Sequence, residues 1–575
     1  MDTTKNLNIA IISGGTGNDA LVKGLKSLYH DVNITVVVNA YDSGKSTGVC
    51  RKVTDTLGVS DIRKNHTRMY KAMTSTPDER LLEFYDKRYN FTLGNEVIEI
   101  CSLLDAWGLS QFKIYVENFF KNETAKNFEY VDFSVANIIY SQMYREIGYE
   151  ETNRIFCELL GIDDFVVLNS FDNVYLNAHL EDGTTLYDEG DIVELKNADN
   201  KIVSLSYVGE TSHGINPKAI EAIDNADLIV VSTGTFWSSI YPTLEYLDFY
   251  KYINNATAKK IWAINCMEDK DAYGVSSNDF IRIVKNLGLN LSDFTILLNS
   301  DAVESLKLPN DEMNCIYEHM ENNSGKHNGY KYAKNILKIY YGLFDEFDKI
   351  IFDFDDTLWS RLAKENDEEL KHSIHNLNLI NDKLANKAII VSGNSFDSIK
   401  EKLYRVFGTN LKEFKVPIWA DANSTLFIGN EPIQFIDELS IADSADKLTM
   451  YFKYTYGLNL VPNDNERVAC LKLKPLDTLC RNVITNMLND YLFERLGIED
   501  CLAFKTGYST IDILHRNNTK GVTYDYANLN QYKILYIGDE VGVGNDADIA
   551  AKCDNYIHIS GVSETATILK LLTED

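Results

Sequence analysis

Short apolar segments that alternate with helical stretches are the feature that most constrains the fold of this chain. Asn8–Ile12 and Lys349–Phe352 are both apolar, β-rich runs, and each is followed by a polar loop and then a helical pattern. Further runs of this kind lie at Leu228–Ser232, Lys260–Ile264, Phe294–Leu298, Ala388–Val391 and Ile534–Ile537. This alternation predicts parallel sheets covered by helices, which is an α/β fold.

The length of the chain indicates more than one domain. A chain of 575 residues exceeds what a single hydrophobic core normally organises. We predict two Rossmann-like parallel-sheet domains, at residues 1–345 and 346–575. Within the second, residues 396–510 have the size of an inserted α+β cap, with strands at Val468–Leu473 and Thr510–Leu514 and a helix near Asp477–Leu496.

Charge and apolar content exclude several classes of function. A formal net charge of −29 repels polyanions, so nucleic acid is not an expected partner. No apolar run approaches the roughly 20 residues that span a bilayer, and the first residues lack the features of a signal peptide. Nine scattered cysteines without a CxxC pair indicate reduced thiols. The sequence predicts a cytoplasmic protein without a membrane partner and leaves the oligomeric state open, a homo-oligomer included.

Two aspartates follow the strand that opens the second domain. Asp353 and Asp355 lie in the segment DFDDTLW, directly after Lys349–Phe352. Polar groups at the carboxyl ends of parallel strands point into the crevice where open α/β sheets bind ligands. One carboxylate can attack phosphorus there, and the other can donate and remove a proton. We therefore predict Asp353 as a covalent nucleophile and Asp355 as the acid and base.

Two later residues suit the stabilisation of a phosphoryl group. Ser392 follows the apolar strand Ala388–Val391 and can hydrogen-bond a phosphoryl oxygen. Lys520, in the segment NNTKG, can neutralise the charge that develops on that oxygen. Together with the two aspartates, they form the predicted catalytic set.

An acidic loop after the strand Ile534–Ile537 supplies oxygen ligands. The loop GDEVGVGND contains Asp539 and Asp546, and carboxylates are the ligands that Mg²⁺ prefers. The predicted cofactor is therefore Mg²⁺. Its predicted ligands are Asp353, Asp355, Asp539 and Asp546, with Glu540 and Asn545 as alternatives to Asp546.

These four segments, in this order, resemble the haloacid dehalogenase superfamily over residues 347–575. The insertion is similar to the cap of sugar-phosphate phosphatases and of eukaryotic-type phosphomannomutase. The resemblance implies a Mg²⁺-dependent phosphatase that acts on a phosphorylated sugar or a related small phosphomonoester through an aspartyl-phosphate. A phosphomutase is the alternative that the same resemblance allows.

A glycine-rich turn follows the first strand of the chain. The segment Ser13–Asn18, SGGTGN, opens a helical pattern at Asp19–Tyr29. Glycines let the backbone approach a phosphate closely, and the free N–H groups of a helix start attract its charge. The segment fits neither GxGxxG nor GxxxxGK[ST], so alone it is equally compatible with a phosphate site and a tight connection.

Further segments resemble the 2-phospho-L-lactate transferase and gluconeogenesis-factor family over about residues 6–340. They are NAYDSGKSTG at 39–48, SDIRKN at 60–65, LGN at 93–95, LEDG at 180–183, NP at 216–217, ADLI at 226–229, GTFWSSIYP at 234–242 and NCM at 265–267. Residues 43–48 are closer to the Gly-Gly-Ser-Ser-Gly of the gluconeogenesis-factor branch. Ser232-Thr233-Gly234-Thr235 replaces the family's Gly-Pro-Gly-Ser, and Glu268-Asp269 replaces Thr-Gln.

The resemblance implies binding of a nucleotide diphosphate that carries a hydroxy acid or a sugar. The glycine-rich turn and Gly234–Ser238 would hold phosphates, and Asp42 and Asp61 would hold a metal or substrate hydroxyls. The predicted binding residues are Gly14, Gly15, Thr16, Gly17, Asn18, Asp42, Ser43, Gly44, Ser46, Asp61, Arg63, Asn65, Asn95, Gly234, Thr235 and Ser238.

The two resemblances together imply a bifunctional enzyme. A transferase that uses a nucleotide-diphosphate-activated small molecule precedes a phosphatase that acts on a phosphorylated sugar or hydroxy acid. In the alternative, the first domain binds a nucleotide sugar and regulates the phosphatase.

Overall fold

The computed structural model describes most of the chain in two compact units, Asn6–Tyr340 and Tyr341–Asp575. The described residues are 6–574 except 16, 30, 164, 188, 194, 196–199, 267–270, 273–274, 302–313, 323–325, 409–410, 422, 430, 435–444, 463–469, 476–480, 507–509, 516–517 and 542–545. No helix in these ranges is both long enough and apolar enough to cross a membrane.

A seven-stranded parallel sheet organises the first unit. Its strands in spatial order are β12-β11-β10-β9-β1-β2-β5, and all six neighbouring pairs are parallel. The strands of this unit, β1 to β12 in chain order, are Leu7–Ile12, Val32–Val38, Arg88–Tyr89, Phe133–Ser134, Val166–Leu168, Val174–Leu180, Thr185–Leu186, Ile202–Gly209, Leu228–Val231, Lys259–Ala263, Phe294–Asn299 and Asn314–Glu318. β3 and β4 form a two-stranded ribbon, and β6, β7 and β8 form a separate antiparallel sheet.

Fourteen helices are described in or at the end of this unit. In chain order, α1 to α14 are Asp19–Leu28, Lys45–Thr54, Ser60–Met73, Glu79–Asp86, Glu96–Trp107, Lys113–Lys121, Val135–Ile147, Tyr149–Leu160, Glu189–Val193, Pro217–Asp224, Tyr241–Glu245, Tyr250–Asn255, Ser277–Leu287 and Gly329–Tyr341. The aromatic-rich stretch after Glu96 is helical, as its apolar spacing predicts, and its rings pack together in the core.

The strand order places a topological switch point beside β1. The chain leaves β1 for β2 and β5 on one side, and it returns to β9 and the later strands on the other. In open α/β sheets, ligands bind in the crevice at such a point, outside the carboxyl ends of the strands. The loops after β1, β2 and β9 therefore frame the place where a ligand of this unit is expected.

A second seven-stranded sheet organises the other unit. Its order is β17-β16-β15-β14-β13-β22-β23, parallel except for the hairpins that pair β15 with β16 and β16 with β17. The strands of this unit, β13 to β23, are Lys349–Asp353, Ala388–Val391, Ile418–Ala420, Thr425–Ile428, Glu431–Gln434, Leu460–Pro462, Cys470–Pro475, Cys501–Thr506, Thr510–His515, Ile534–Gly538 and Asn555–His558. The helices α15 to α21 are Asp367–Leu379, Phe396–Phe407, Ala445–Tyr456, Arg481–Glu494, Lys520–Tyr526, Ala547–Ala550 and Val562–Thr573.

A separate four-stranded antiparallel sheet has the character of the expected cap. Its order is β18-β19-β21-β20, and α17 and α18 contribute to a hydrophobic core shared with these strands. The cap predicted at 396–510 begins too early, because α16 and β15 to β17 belong to the larger sheet and its helices. The separate sheet and its helices span Ala445–His515 instead.

Candidate functional site

A buried lysine lies between two aspartates at the carboxyl edge of the second sheet. Asp353 ends β13, Lys520 begins α19, and Asp546 precedes α20. The Lys520 Nζ atom donates to Asp353 Oδ1 at 2.6 Å and also to Asp546 Oδ1. All three side chains are buried. The sequence placed these residues about 170 and 190 positions apart, and the fold brings them into direct contact.

The charges of this cluster shift the pKa values of its members. Burial raises the pKa of Asp353 well above 3.8, the nearby Lys520 opposes the shift, and Asp546 adds to it. Burial alone would lower the pKa of Lys520, but its two carboxylate partners outweigh burial and raise it above 10.5. Burial, followed by the charge of Asp546, raises the pKa of Asp539 to about 7. The cluster holds an excess of negative charge that one lysine does not cancel.

Three carboxylates form a group that fits a divalent cation. Oxygen atoms of Asp353, Asp539 and Asp546 all lie within 4.8 Å of one another. Hard oxygen ligands and an uncompensated negative charge are what Mg²⁺ requires. A Cβ atom at Gly538 would overlap the Asp546 carboxylate, so the glycine makes room for this group. The backbone carbonyl of Asp539 accepts from His558 Nε2 at 2.7 Å, which steadies the start of the loop.

Asp355 lies apart from the acidic group and has other partners. Its Oδ1 atom is 2.6 Å from Lys402 Nζ, and its Oδ2 atom accepts from the Asn394 side-chain amide. Among the described residues its carboxylate is not a member of the three-carboxylate group, so the structure does not place Asp355 with the predicted metal ligands. Asp355 is paired instead with Lys402, which the sequence did not single out.

The remaining predicted residues of this site are Ser392 and the alternatives for the last metal ligand. Ser392 is buried beside Asp353, because Asp353 and Val391 are paired across β13 and β14, and its Oγ atom accepts from the Asn394 N–H at 3.1 Å. Among the alternatives for the last metal ligand, Asp546 belongs to the three-carboxylate group. Glu540 is not in that group among the described residues, and its backbone N–H donates to Asp546 Oδ2 at 3.4 Å. Asn545 lies outside the described residues.

A pocket of about 290 Å³ lies at the switch point of the first unit. Loops after β1, β2 and β9 line it, together with side chains of α2, α3 and α9. Its lining residues are Gly15, Asp42, Gly44, Lys45, Thr47, Ser60, Asp61, Lys64, Arg88, Glu189, Gly190, Val193, Thr235, Ser238 and Ser239. Six predicted binding residues are among them: Gly15, Asp42, Gly44, Asp61, Thr235 and Ser238.

Close contact explains the glycine at position 15. A Cβ atom there would overlap Asp61 Oδ1 and lie 2.8 Å from Lys64 Cδ. The Lys64 Nζ atom lies 3.5 Å from Asp61 Oδ1, so this turn carries charges of both signs. The neighbouring Thr16 lies outside the described residues.

Three carboxylates face this pocket. Burial and the charges of Asp42 and Asp61 raise the pKa of Glu189 well above 4.5, and Glu189 hydrogen-bonds Asp42. Burial also raises the pKa of Asp61, while Lys64 opposes the shift. Glu189 was missed in the sequence because it stands in a short acidic stretch, 188–191, that resembles any solvated charge run.

Several predicted binding residues support the pocket without lining it. The Asn18 side-chain amide donates to Asn65 Oδ1 at 2.7 Å, and the Asn65 amide reaches the carbonyl of Gly14 at 3.4 Å. Gly17 accepts from Thr233 Oγ1 at 2.6 Å, which joins the loops after β1 and β9. These contacts make the two glycine-rich loops one structural unit.

The other predicted residues lie behind the pocket or away from it. Arg63 and Ser46 both contact the buried Asn137 side chain, at 2.8 and 3.0 Å. Gly234 exchanges two hydrogen bonds with Asn265, and Ser43 Oγ accepts from the Glu189 N–H. Asn95 is exposed before α5 and does not line the described pocket. The polar groups of Arg63, Ser46 and Ser43 thus have protein partners.

A buried aspartate that the sequence did not indicate shapes the loop after β9. Asp271 accepts from the N–H groups of Phe236 and Ser238, at 3.2 and 2.9 Å. Burial raises its pKa to about 6, although the hydrogen bonds from Ser238 oppose the shift. The sequence gives little signal for this role, because Asp271 is one of three acids at positions 268–271 and lies 33 residues beyond Ser238.

Comparisons with known proteins find several that are similar to this chain. A gluconeogenesis factor of Listeria monocytogenes is 25% identical over 308 residues, which cover 53% of this chain and 81% of that protein. A crystal structure of a Bacillus halodurans protein covers 58% of this chain and 100% of its own, with 21% identity and a TM-score of 0.45. A sucrose-phosphatase structure from Synechocystis covers 36% of this chain and 82% of its own, with 16% identity and a TM-score of 0.26.

The family model described as 2-phospho-L-lactate transferase CofD matches residues 9–337. This range includes the parallel sheet of the first unit and all residues that line its described pocket. Because the match spans more than half of the 575 residues, the chain belongs to the 2-phospho-L-lactate transferase CofD family.

Proposed function

We propose that the second unit hydrolyses small phosphomonoesters through an aspartyl-phosphate on Asp353. The observation that carries this proposal is the group of Asp353, Asp539 and Asp546 with Lys520 between two of the carboxylates. The group lies at the switch point of a parallel sheet, between β13 and β22. Such an arrangement of a nucleophile, a cation and metal ligands suits phosphoryl transfer.

Each side chain has a distinct role in this reaction. An oxygen of Asp353 attacks phosphorus, the bond to the leaving oxygen breaks, and Asp355 gives that oxygen a proton. Asp355 then removes a proton from the water that attacks the aspartyl-phosphate, so that Asp353 is regenerated. Lys520 and Ser392 stabilise the phosphoryl oxygens. Mg²⁺ held by Asp353, Asp539 and Asp546 would neutralise further charge on the phosphoryl group.

The substrate class follows from the site and the separate small sheet. A sheet of four strands with its own hydrophobic core, inserted between β17 and β22, has the size of a cap that covers a small ligand. We therefore favour a phosphorylated sugar or hydroxy acid as the substrate. The test is release of inorganic phosphate by the full chain from p-nitrophenyl phosphate, hexose phosphates and phosphoglycerates, with Mg²⁺ and with excess chelator. Release from none of these esters in Mg²⁺ would contradict the proposal.

We infer a second activity for the first unit, which is transfer of a phosphate-bearing group from a nucleotide-diphosphate donor. The observation that favours it is the pocket at the switch point, where Lys45, Lys64 and Arg88 lie among three carboxylates. Cations suit the phosphates of the donor, and Asp42, Asp61 and Glu189 suit a divalent ion or the acceptor hydroxyl. In the step itself, the acceptor hydroxyl oxygen attacks the outer phosphorus and gives its proton to one of these carboxylates. The bond to the bridging oxygen breaks, and a nucleoside monophosphate leaves.

A single protein variant can distinguish a transferase activity of the first unit from a regulatory role. The Asp353→Asn protein, in which the phosphatase is silenced, is incubated with nucleotide-activated hydroxy acids and sugars, with and without hydroxyl acceptors. Acceptor-dependent release of nucleoside monophosphate supports the transferase. No release, together with a wild-type phosphatase rate that changes on addition of the nucleotide, supports the regulatory alternative, because a regulator must bind two states with different affinity.

A further inference from the structure

Lys45 has an unfavourable backbone conformation at the mouth of the pocket in the first unit. Its φ angle of 45° lies in the left-handed region, where a side chain with a Cβ atom costs free energy and glycine does not. Lys45 lines the pocket. Glycine would adopt this conformation without strain, so we expect the lysine side chain to have a function that compensates for its cost in free energy.

The helix that Lys45 begins adds a second cost. Lys45 is the first residue of α2, Lys45–Thr54. The unsatisfied N–H groups at a helix start carry partial positive charge, so a cation there is repelled. Acidic residues are favoured at this place, and the first turn of α2 contains none.

The contacts of Lys45 within the protein do not offset these costs. Its Nζ atom lies 3.8 Å from Asp132 Oδ2, and the lysine side chain is 65% exposed. An exposed ion pair of this length contributes little to stability. The same carboxylate oxygen lies 3.3 Å from Arg88 Nη1, so two pocket-lining cations share one aspartate. At this rim of the pocket, two cations thus depend on a single aspartate.

We propose that Lys45 is a specificity-determining residue that binds the outer anionic group of the ligand. The inference rests on the proposed function of this pocket as a diphosphate site. Lys45 and Arg88 approach that group from the rim, whereas Lys64 lies deeper, beside Gly15 and Asp61. A ligand with a phosphate or carboxylate at its outer end gives these two cations a second anionic partner, and a ligand with a neutral end does not.

The test uses opposite effects on stability and on binding. Binding of inorganic pyrophosphate with Mg²⁺ to the full chain is measured by calorimetry, and thermal unfolding is measured without ligand. Lys45→Gly relieves the backbone strain and the repulsion from the helix, so it raises the unfolding temperature while it weakens pyrophosphate binding about tenfold. Lys45→Ala removes the charge and keeps the strain, so it weakens binding equally with a smaller gain in stability. Lys218→Ala, at an exposed position paired with Glu150, changes neither quantity.

The possible outcomes test separately the role of Lys45, the strain of its backbone and the diphosphate site. Unchanged pyrophosphate affinity in Lys45→Gly, with binding by the wild type intact, would overturn the role of Lys45 and leave the pocket function standing. A Lys45→Gly protein that is less stable than the wild type would overturn the argument from strain. Absence of pyrophosphate binding by the wild type would contradict the diphosphate site itself, and the role of Lys45 would fall with it.

Discussion

The Nζ atom of Lys402 lies 2.6 Å from the Oδ1 atom of Asp355, and the Asn394 amide holds the other carboxylate oxygen. Lys402 belongs to α16, and its ammonium group also lies 5.0 Å from the centre of the Phe354 ring. The proposed acid and base is thus oriented by two groups that follow the second strand of the sheet. Its position depends on α16, which lies outside the separate four-stranded sheet and its helices.

Lys402→Met should therefore lower phosphatase turnover about tenfold, because Asp355 loses the partner that fixes its carboxylate. The Michaelis constant should change less than the turnover number, since Lys402 is a positioning residue. Lys402→Arg should recover most of the rate. The matched control is Lys400→Met on the same helix, where the lysine lies over the Tyr404 ring. Equal rates for Lys402→Met and Lys400→Met would show that the ion pair has no part in catalysis.

Gly538→Ala should weaken the response of the phosphatase to Mg²⁺. The added methyl group would occupy the space of the Asp546 carboxylate, so one predicted ligand must move. We expect a higher Mg²⁺ concentration for half-maximal rate, with the protein still folded by circular dichroism. Gly561→Ala is the control, because a Cβ atom there meets nothing within 4 Å. The same Mg²⁺ dependence in both variants would argue against Asp546 as a ligand.

Asp271 should make the stability of the first unit depend on pH. Burial raises its pKa from 3.8 to about 6 in the folded state. The stability that it contributes is therefore present below about pH 3.8 and is lost as the pH rises through 6, to the extent of about 3 kcal/mol. Chemical denaturation should show that the free energy of unfolding of Asp271→Asn rises relative to that of the wild type over this pH range. A difference that stays constant from pH 4 to pH 7 would contradict the raised pKa.

Much of the parallel-sheet core could be predicted because its strands are short apolar runs. The predicted runs at Leu228, Lys260, Phe294 and Ala388 match strands to within one residue at each end. A strand that is buried on both faces must be apolar throughout, and few other structures leave this pattern. The strands β6 to β8 were not predicted, because polar residues interrupt the apolar runs of β6 and β8 and because β7 has only two residues.

Some residues of the candidate sites could be predicted from the sequence and others could not, for a similar reason. Asp353, Lys520 and Asp546 could be found because each follows or precedes an apolar strand in a recognisable order. Glu189 and Lys402 could not, because each lies on a helix and contacts a residue that is distant in the sequence, Asp42 or Asp355. Such contacts depend on how helices pack, which the order of residues along the chain does not state.

The rate of Mg²⁺-dependent phosphate release by Asp353→Asn tests whether Asp353 is the nucleophile. An amide cannot form the aspartyl-phosphate, so we expect a loss of at least about a thousandfold relative to the wild type. Asp367→Asn, in the first turn of α15, should retain the wild-type rate. Turnover by a pure, folded Asp353→Asn preparation within tenfold of the wild type would contradict the central claim that Asp353 is the nucleophile.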